Sequence, residues 1–234
     1  MIDQFIKKLK ILKRKVKSEK KSYSFGGVDL LVNYIFKDKR KGIYLDVGAQ
    51  HPISNNNTYL LYKRGWHGIN IDLDSKNIDL FNTARKGDIN INVAISSSKS
   101  IKKLYFYHAG SPINTISKNN ADRQKAKIKE IREIKTNTLN NILEQNDYNK
   151  IDYLNIDVEG HELDVLKGLD LTKYEPDVIS VEFLDLKMKK LEFKNNNIKD
   201  IIDSDLYKHM INNNYSFINW NHADLIFVNN KLRD

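Results

Sequence analysis

Three short apolar runs of this chain end in acid. GIYLDVG (42–48) carries Asp46 and Gly48, HGINIDLD (67–74) carries Asp72, and IDYLNID (151–157) closes on Asp157. The last continues into Glu159, His161 and Glu162. If the runs are strands of a parallel sheet, their acids gather beyond the carboxyl ends, where such sheets bind ligands. Gly48, with Ala49 after it, allows a tight turn and a close backbone approach. Asp46 can hold a cationic amine, and Asp72, 24 residues after Gly48, is placed to accept both hydroxyls of a ribose. A plainer role, capping the helices that follow, would use the same positions.

The residues after Gly48 narrow the ligand. Ala49, Gln50, His51 and Pro52 lack the glycines that let a pyrophosphate approach a helix N-terminus, which disfavours a dinucleotide. The chain has no G-x-x-x-x-G-K-[ST], which excludes a P-loop. A nucleoside without a diphosphate and with a cationic amino-acid end remains, and S-adenosylmethionine meets that description. A sulfonium is already a strong methyl donor, so the protein's work is to position the acceptor and take its proton. A hydroxyl acceptor needs a base. His161 has the ordinary pKa closest to neutrality, and Glu159 is the alternative. Glu159 could instead cap the next helix, and His161 could be a solvent-facing residue of its first turn. Asp157 and Glu182, each ending a strand, could hold Mg²⁺. Carboxylates are commoner in loops and cores than on metals, and no metal is expected.

These residues need a scaffold. Short apolar runs alternate with helical spacing from residue 42 onward. Strands are expected at 42–48, 67–74, 89–95, 103–107, 151–157 and 177–182, with a closing hairpin at 216–220 and 224–228. Helices are expected at 58–63, 75–85, 139–145, 161–169 and 198–212. Thr58 and Ser75 are the candidate caps, and Ile78, Phe81 and Ala84 are expected inward. Residues 108–138 are polar and read as an insertion or lid with a charged helical stretch near 118–130. The Asn triplets at 55–57, 195–197 and 212–214 read as loop composition. Trp66, Trp220 and the Tyr-rich strands read as core, with Trp220 and Tyr107 as alternative platforms for a sugar ring. The pattern predicts an α/β fold with a mainly parallel sheet, helices on both faces and a terminal antiparallel hairpin.

DVGAQHP, SNNNTYLLYKRGWHGINIDLD, DININVAISS, INTIS, IDYLNIDVEGHELDVLKG and DVISVE follow one another in order. Together they resemble the FkbM family of S-adenosylmethionine-dependent methyltransferases over roughly residues 42–229, most specifically at IDVEGHE, 156–162. The resemblance implies a Rossmann-like class I methyltransferase with a seven-stranded sheet, and O-methylation of sugars or surface-glycan hydroxyls. It also implies that Asp46, Gly48 and Ala49 line the methionine end of the cofactor, that Asp72 binds the ribose and that Ala94 lies beside the adenine. Asp157 would sit where cofactor and acceptor meet, surrounded by Glu159, His161 and Glu162. Many members carry Asn and then Gly after DVGA, whereas this chain has Gln50, His51 and Pro52.

Charge divides the chain. Residues 1–22 hold nine Lys and Arg against two acids, so +7 of the net +9 sits there. Ile2, Phe5, Ile6, Leu9, Leu12 and Val16 repeat at helical spacing between the lysines. This predicts a basic amphipathic helix over 1–22 and a methyltransferase domain over 23–234. Such a helix can pack on its own domain or a second copy, or lie peripherally on an anionic membrane. The near-neutral remainder argues against a phosphate-binding surface, so no nucleic-acid partner is expected and RNA ribose methylation is the rival activity. A non-catalytic module binding cofactor or sugar within a glycan-assembly complex is the other rival. The absence of Cys excludes thiolate chemistry and suits a reducing compartment. With no leader-like or membrane-spanning run, the expected place is the cytoplasm, with attachment at the inner face of the membrane as the alternative that the helix offers.

Overall fold

The computed structural model describes residues 2–18, 20–183, 198–221 and 223–233. Among these residues lie ten strands: β1 (Ile43–Val47), β2 (His67–Asp72), β3 (Ile89–Asn92), β4 (Ala94–Ile95), β5 (Ile101–Phe106), β6 (Glu130–Asn137), β7 (Tyr153–Ile156), β8 (Val178–Glu182), β9 (Tyr215–Asn221) and β10 (Asp224–Asn229). Seven form one sheet in the order β3-β2-β1-β7-β8-β10-β9. The first five are parallel, and β10 runs antiparallel between β8 and β9. The expected mainly parallel sheet with a terminal hairpin is therefore present. Strand order reverses between β1 and β7, which places the ligand crevice at the ends of those two strands.

Alternation along the strands sorts the side chains by face. Leu45, Val47, Ile69, Ile71, Leu154, Ile156, Ile179 and Val181 point into one apolar core. It is closed by α6 (Leu139–Gln145), α7 (Glu162–Lys167), α8 (Leu171–Tyr174), α9 (Ile198–Ile202) and α10 (Asp205–Asn212). On the opposite face Tyr44, Tyr153, Val178 and Ile226 pack beneath Trp66 and α2 (Val28–Ile35). Further along that face the same alternation presents polar residues: Asp46, Asn70, Asn155, Ser180 and Glu182, all buried. In register, Asp46 lies beside Asn155, Asn155 beside Ser180, and Glu182 beside Asp224. A polar row thus crosses the carboxyl ends of the strands.

Several boundaries differ from expectation. The run 89–95 is two strands, because the chain leaves the main sheet after Asn92 and β4 pairs with β6 in a second sheet ordered β4-β6-β5. Only Lys118–Ala121 (α5) is helical in the charged stretch 118–130, and 130–137 is the strand β6. Asp74, not Ser75, caps α4 (Ser75–Ala84), and Ala84 faces outward. Residues 198–212 are two helices, broken where the Ser204 hydroxyl accepts from Tyr207 N at 3.1 Å. The helices α2 and α8 were not expected. The first helix, α1 (Ile2–Ser18), is present as the spacing predicts.

Candidate active site

Two cavities meet over the carboxyl ends of β1 and β7. The first, about 530 Å³, is walled by Val47, Ile71, Leu73, Val93, Ala94 and Ile95, with Ser111, Pro112, Asn114 and Ile116 of the insertion closing it. Asp72 stands within it. The second, about 870 Å³, is polar and lined by Asp46, Ala49, Asn55, Asn56, Asn57, Asn155, Glu182 and Asp224. Gly48, Gln50, Pro112, Asp157 and Glu159 border both.

Local backbone geometry makes the junction. Gly48 has φ +78°, and a Cβ there would lie 1.7 Å from the Asp157 carbonyl oxygen. The ends of β1 and β7 approach so closely that only glycine fits. Gln50 turns left-handed next, with φ 52°, and its N–H donates to Asp72 Oδ2 at 2.9 Å while Asp74 N–H donates to Oδ1 at 2.7 Å. Burial pushes the Asp72 carboxyl up to about 6, against the pull of these two backbone donors. The Asn77 side chain is a third donor, and a carboxylate with about four acceptor sites keeps room for a further one.

Asp46 is fully buried and held by three donors. Asn155 Nδ2 donates to Oδ1 at 2.9 Å; Asn56 Nδ2 and Thr58 Oγ1 donate to Oδ2 at 3.1 and 2.8 Å. Thr58 therefore turns its hydroxyl to Asp46 instead of capping α3 (Tyr59–Lys63), and Asn56 Oδ1 accepts from Tyr59 N at 2.8 Å in its place. Behind them Arg85, also fully buried, donates to Pro52 O, Thr58 Oγ1, Asn70 Oδ1 and Asn56 Oδ1. The loop 49–58 is thus tied to the sheet by one guanidinium and one carboxylate. The triplet 55–57 is accordingly chemical and not mere composition: Asn56 builds this network, and Asn57 Nδ2 donates to Asn155 Oδ1 at 2.9 Å on the cavity wall. The triplet at 195–197 lies outside the described residues.

Beyond β7, Glu159 and Gly160 are both left-handed, with φ +58° and +91°. Three bonds from the insertion hold that turn. Thr115 Oγ1 and Asn120 Nδ2 donate to the Glu159 carbonyl at 2.9 and 2.7 Å, and Asn120 Nδ2 also reaches Oε2 at 2.9 Å. Glu159 is therefore not the helix cap; His161 holds the N-cap position without a side-chain cap bond, and Glu162 Oε1 instead ties down the preceding turn by accepting from Val158 N and Gly160 N. Burial raises the Glu159 carboxyl above the usual range. Asp157 faces open cavity yet is surrounded by protein, and its carboxyl is pushed well up by desolvation and by Glu159, Asp224 and Glu162. Glu182 is raised likewise by burial and Asp157, and burial lifts Asp224 to about 7.

Of the expected site residues, Gly48, Asp72, Ala94, Asp157 and Glu159 line the first cavity, and Asp46, Gly48, Ala49, Asp157 and Glu159 the second. His161 lines neither. It is buried, with Nε2 3.0 Å from Ser96 Oγ and Nδ1 3.3 Å from Asp164 Oδ2, and burial lowers its pKa. It is thus neither solvent-facing nor turned to the cleft. Tyr107 is buried against the insertion, its hydroxyl donating to Ala121 O, and Trp220 packs against the core. Gln50, Asn56, Asn120, Asn155 and Asp224 were not expected. Asn155 could have been found from its place two residues before Asp157 on the same strand face, but the insertion's Asn120 has no local signal.

The sheet order, with its antiparallel strand inserted before the last and a cavity over the carboxyl ends of β1 and β2, is that of a Rossmann-like class I methyltransferase fold. Residues 46–214 match the family model described as Methyltransferase FkbM domain, and the chain belongs to that family. Among solved structures it is similar to the crystal structure of methyltransferase FkbM from Methylobacillus flagellatus KT, with 12% identity over 81% of this chain and a TM-score of 0.48. This chain spans 44% of the length of that one. No curated protein matches the chain significantly.

Proposed function

We propose that this protein transfers a methyl group from S-adenosylmethionine to a hydroxyl of a sugar or glycan precursor. The observation that carries this reading is the pair of joined cavities, one an apolar slot with a carboxylate and the other rich in carboxylate and amide groups. The slot suits a nucleoside: Ala94, Val93 and Ile116 offer faces for a flat base, and Asp72 offers acceptors for ribose hydroxyls. Bound there, the cofactor would supply an electrophilic methyl group. The second cavity suits a ligand that donates many hydrogen bonds, as a sugar does. Among the described residues lining it there is no Lys or Arg, which favours a neutral polyol over a phosphate backbone and sets the RNA reading second. At the junction, Asp157 and Glu159 are placed to accept the proton of a bound hydroxyl. Their raised pKa values bring them nearer to what a neutral-pH base requires.

The test is binding first and turnover second. S-adenosylhomocysteine should raise the melting temperature, and methyl incorporation should follow with sugar acceptors and not with RNA. Failure of S-adenosylhomocysteine to bind a folded protein would end this reading.

The helix α1 supports a second proposal, contact with an anionic membrane. Phe5, Ile11 and Leu12 are more than half exposed, and none of its described side chains is buried. No described helix is long and apolar enough to cross a membrane.

A further inference from the structure

The second cavity concentrates negative charge. Asp157 follows β7, Glu159 lies in the left-handed turn after it, and Glu182 ends β8. One carboxylate oxygen from each lies within 4.8 Å of the others. Asp224, the register partner of Glu182, lines the same wall. No basic side chain faces them among the described residues lining the cavity. Carboxyls at such range repel unless a proton or a cation stands between them.

A second observation points to a ligand. Glu182 is only 9% exposed and lines this cavity, yet its Oε2 is a buried oxygen that meets no donor group, and the Asp157 carboxyl beside it can bond it only through a shared proton or a cation. Leaving a buried acceptor unmet is costly. Neighbouring polar groups of the wall are paired: Asp46 has three donors, Asn155 Oδ1 has two, and Glu159 Oε2 has Asn120.

We propose that Asp157, Glu159 and Glu182 form a binding site for one divalent cation of the hard, oxygen-seeking class, such as Mg²⁺, Mn²⁺ or Ca²⁺. The donor set holds neither His nor Cys, which selects against softer metals. Its spacing fits: opposed oxygens on such ions lie roughly 4–5 Å apart, twice a metal–oxygen distance of about 2.0–2.6 Å. The neighbouring Asn57 and Asn155 leave the rest of the coordination shell to water or to an acceptor. A cation there would bind two neighbouring sugar hydroxyls and fix which one faces the cofactor cavity. That role rests on the proposed function; the existence of the site does not.

The test is titration of chelator-stripped, full-length protein with Mn²⁺, followed by calorimetry and by the electron spin resonance of free Mn²⁺. S-adenosylhomocysteine affinity is measured in parallel. The expected result is one Mn²⁺ per chain with Kd between about 10⁻⁶ and 10⁻³ M. Glu182→Gln should weaken it by about tenfold or more, with melting temperature and S-adenosylhomocysteine affinity preserved. Glu159→Gln, a change on a loop, serves as the second variant should Glu182→Gln fail to fold. Three results would overturn the site: no Mn²⁺ bound by protein that still binds S-adenosylhomocysteine, Mn²⁺ affinity unchanged in the folded variants, or Mn²⁺ displaced competitively by S-adenosylhomocysteine. Mn²⁺ binding without S-adenosylhomocysteine binding would sink the methyltransferase reading and leave the cation site standing.

Discussion

At the residue scale, burial sets the behaviour of the acids. Burial pushes the Asp72 carboxyl up to about 6, outweighing its two backbone donors and the Asn77 side chain. A raised carboxyl pKa means that the folded state holds the proton more tightly. Its contribution to stability is full below about pH 4 and is lost as pH rises through about 6. Ligand binding runs the other way, since ribose hydroxyls need the ionised acceptor. S-adenosylhomocysteine affinity should therefore fall as pH drops below about 6 and level off above it, which calorimetry across pH would show. Asp72→Ala should abolish that dependence and cost roughly 2–4 kcal/mol of cofactor binding. An unchanged affinity would remove Asp72 from the site. Glu159 and His161 part company. Glu159→Gln should lower turnover by about 10²–10⁴ with cofactor affinity kept, as expected for a lost base. His161→Ala should mainly lower stability, since its ring bridges Ser96 and Asp164 outside both cavities. Normal turnover in Glu159→Gln would leave Asp157 as the proton acceptor.

At the element scale, the site is made by two tight turns and the insertion that grips one of them. Gly48→Ala places a Cβ 1.7 Å from the Asp157 carbonyl in a left-handed residue, so β1 and β7 must separate. A loss of about 2–5 kcal/mol is expected, with a lower melting temperature and weakened cofactor binding. A melting temperature within a degree or so of the parent would show that the two strand ends can yield. Asn120→Ala removes two bonds to Glu159 from the insertion. Folding should lose only about 1–3 kcal/mol, while turnover falls because Glu159 is no longer fixed. If turnover holds, the turn's own left-handed geometry is sufficient to place the carboxylate.

At the scale of the whole molecule, charge and fold are separate. Most of the net charge lies on α1, whereas the domain is closed off at Ser22, whose hydroxyl donates to Asp29 Oδ1 at 2.6 Å beside α2. Removing residues 1–20 keeps that bond and should leave a folded, cofactor-binding domain. Full-length protein should sediment with anionic liposomes at low salt and less at high salt. Each Lys or Arg near the surface contributes about 1 kcal/mol, and the truncated form should stay in solution. If truncation lowers the melting temperature and leaves sedimentation unchanged, α1 is a packing helix and membrane contact is ruled out.

The sequence by itself determined the parallel sheet, its hairpin and the three acids at strand ends, because alternation and β-branched runs are local signals that survive any packing. Asp46, Asp72 and Asp157 were legible for that reason, and so was the amphipathic α1. Only the tertiary structure decided what each acid meets. Asp46 takes three donors from two separate segments, the strand β7 and the loop 49–58, and Asn56 and Arg85 owe their roles to that loop folding back on the sheet. Rotamer and packing, which spacing does not encode, turned His161 from the cleft. Asn120 reaches Glu159 from 39 residues away, and Glu182 meets Asp157 only through the pairing of β7 with β8. Such contacts join positions far apart in the chain, so no window of sequence contains both partners.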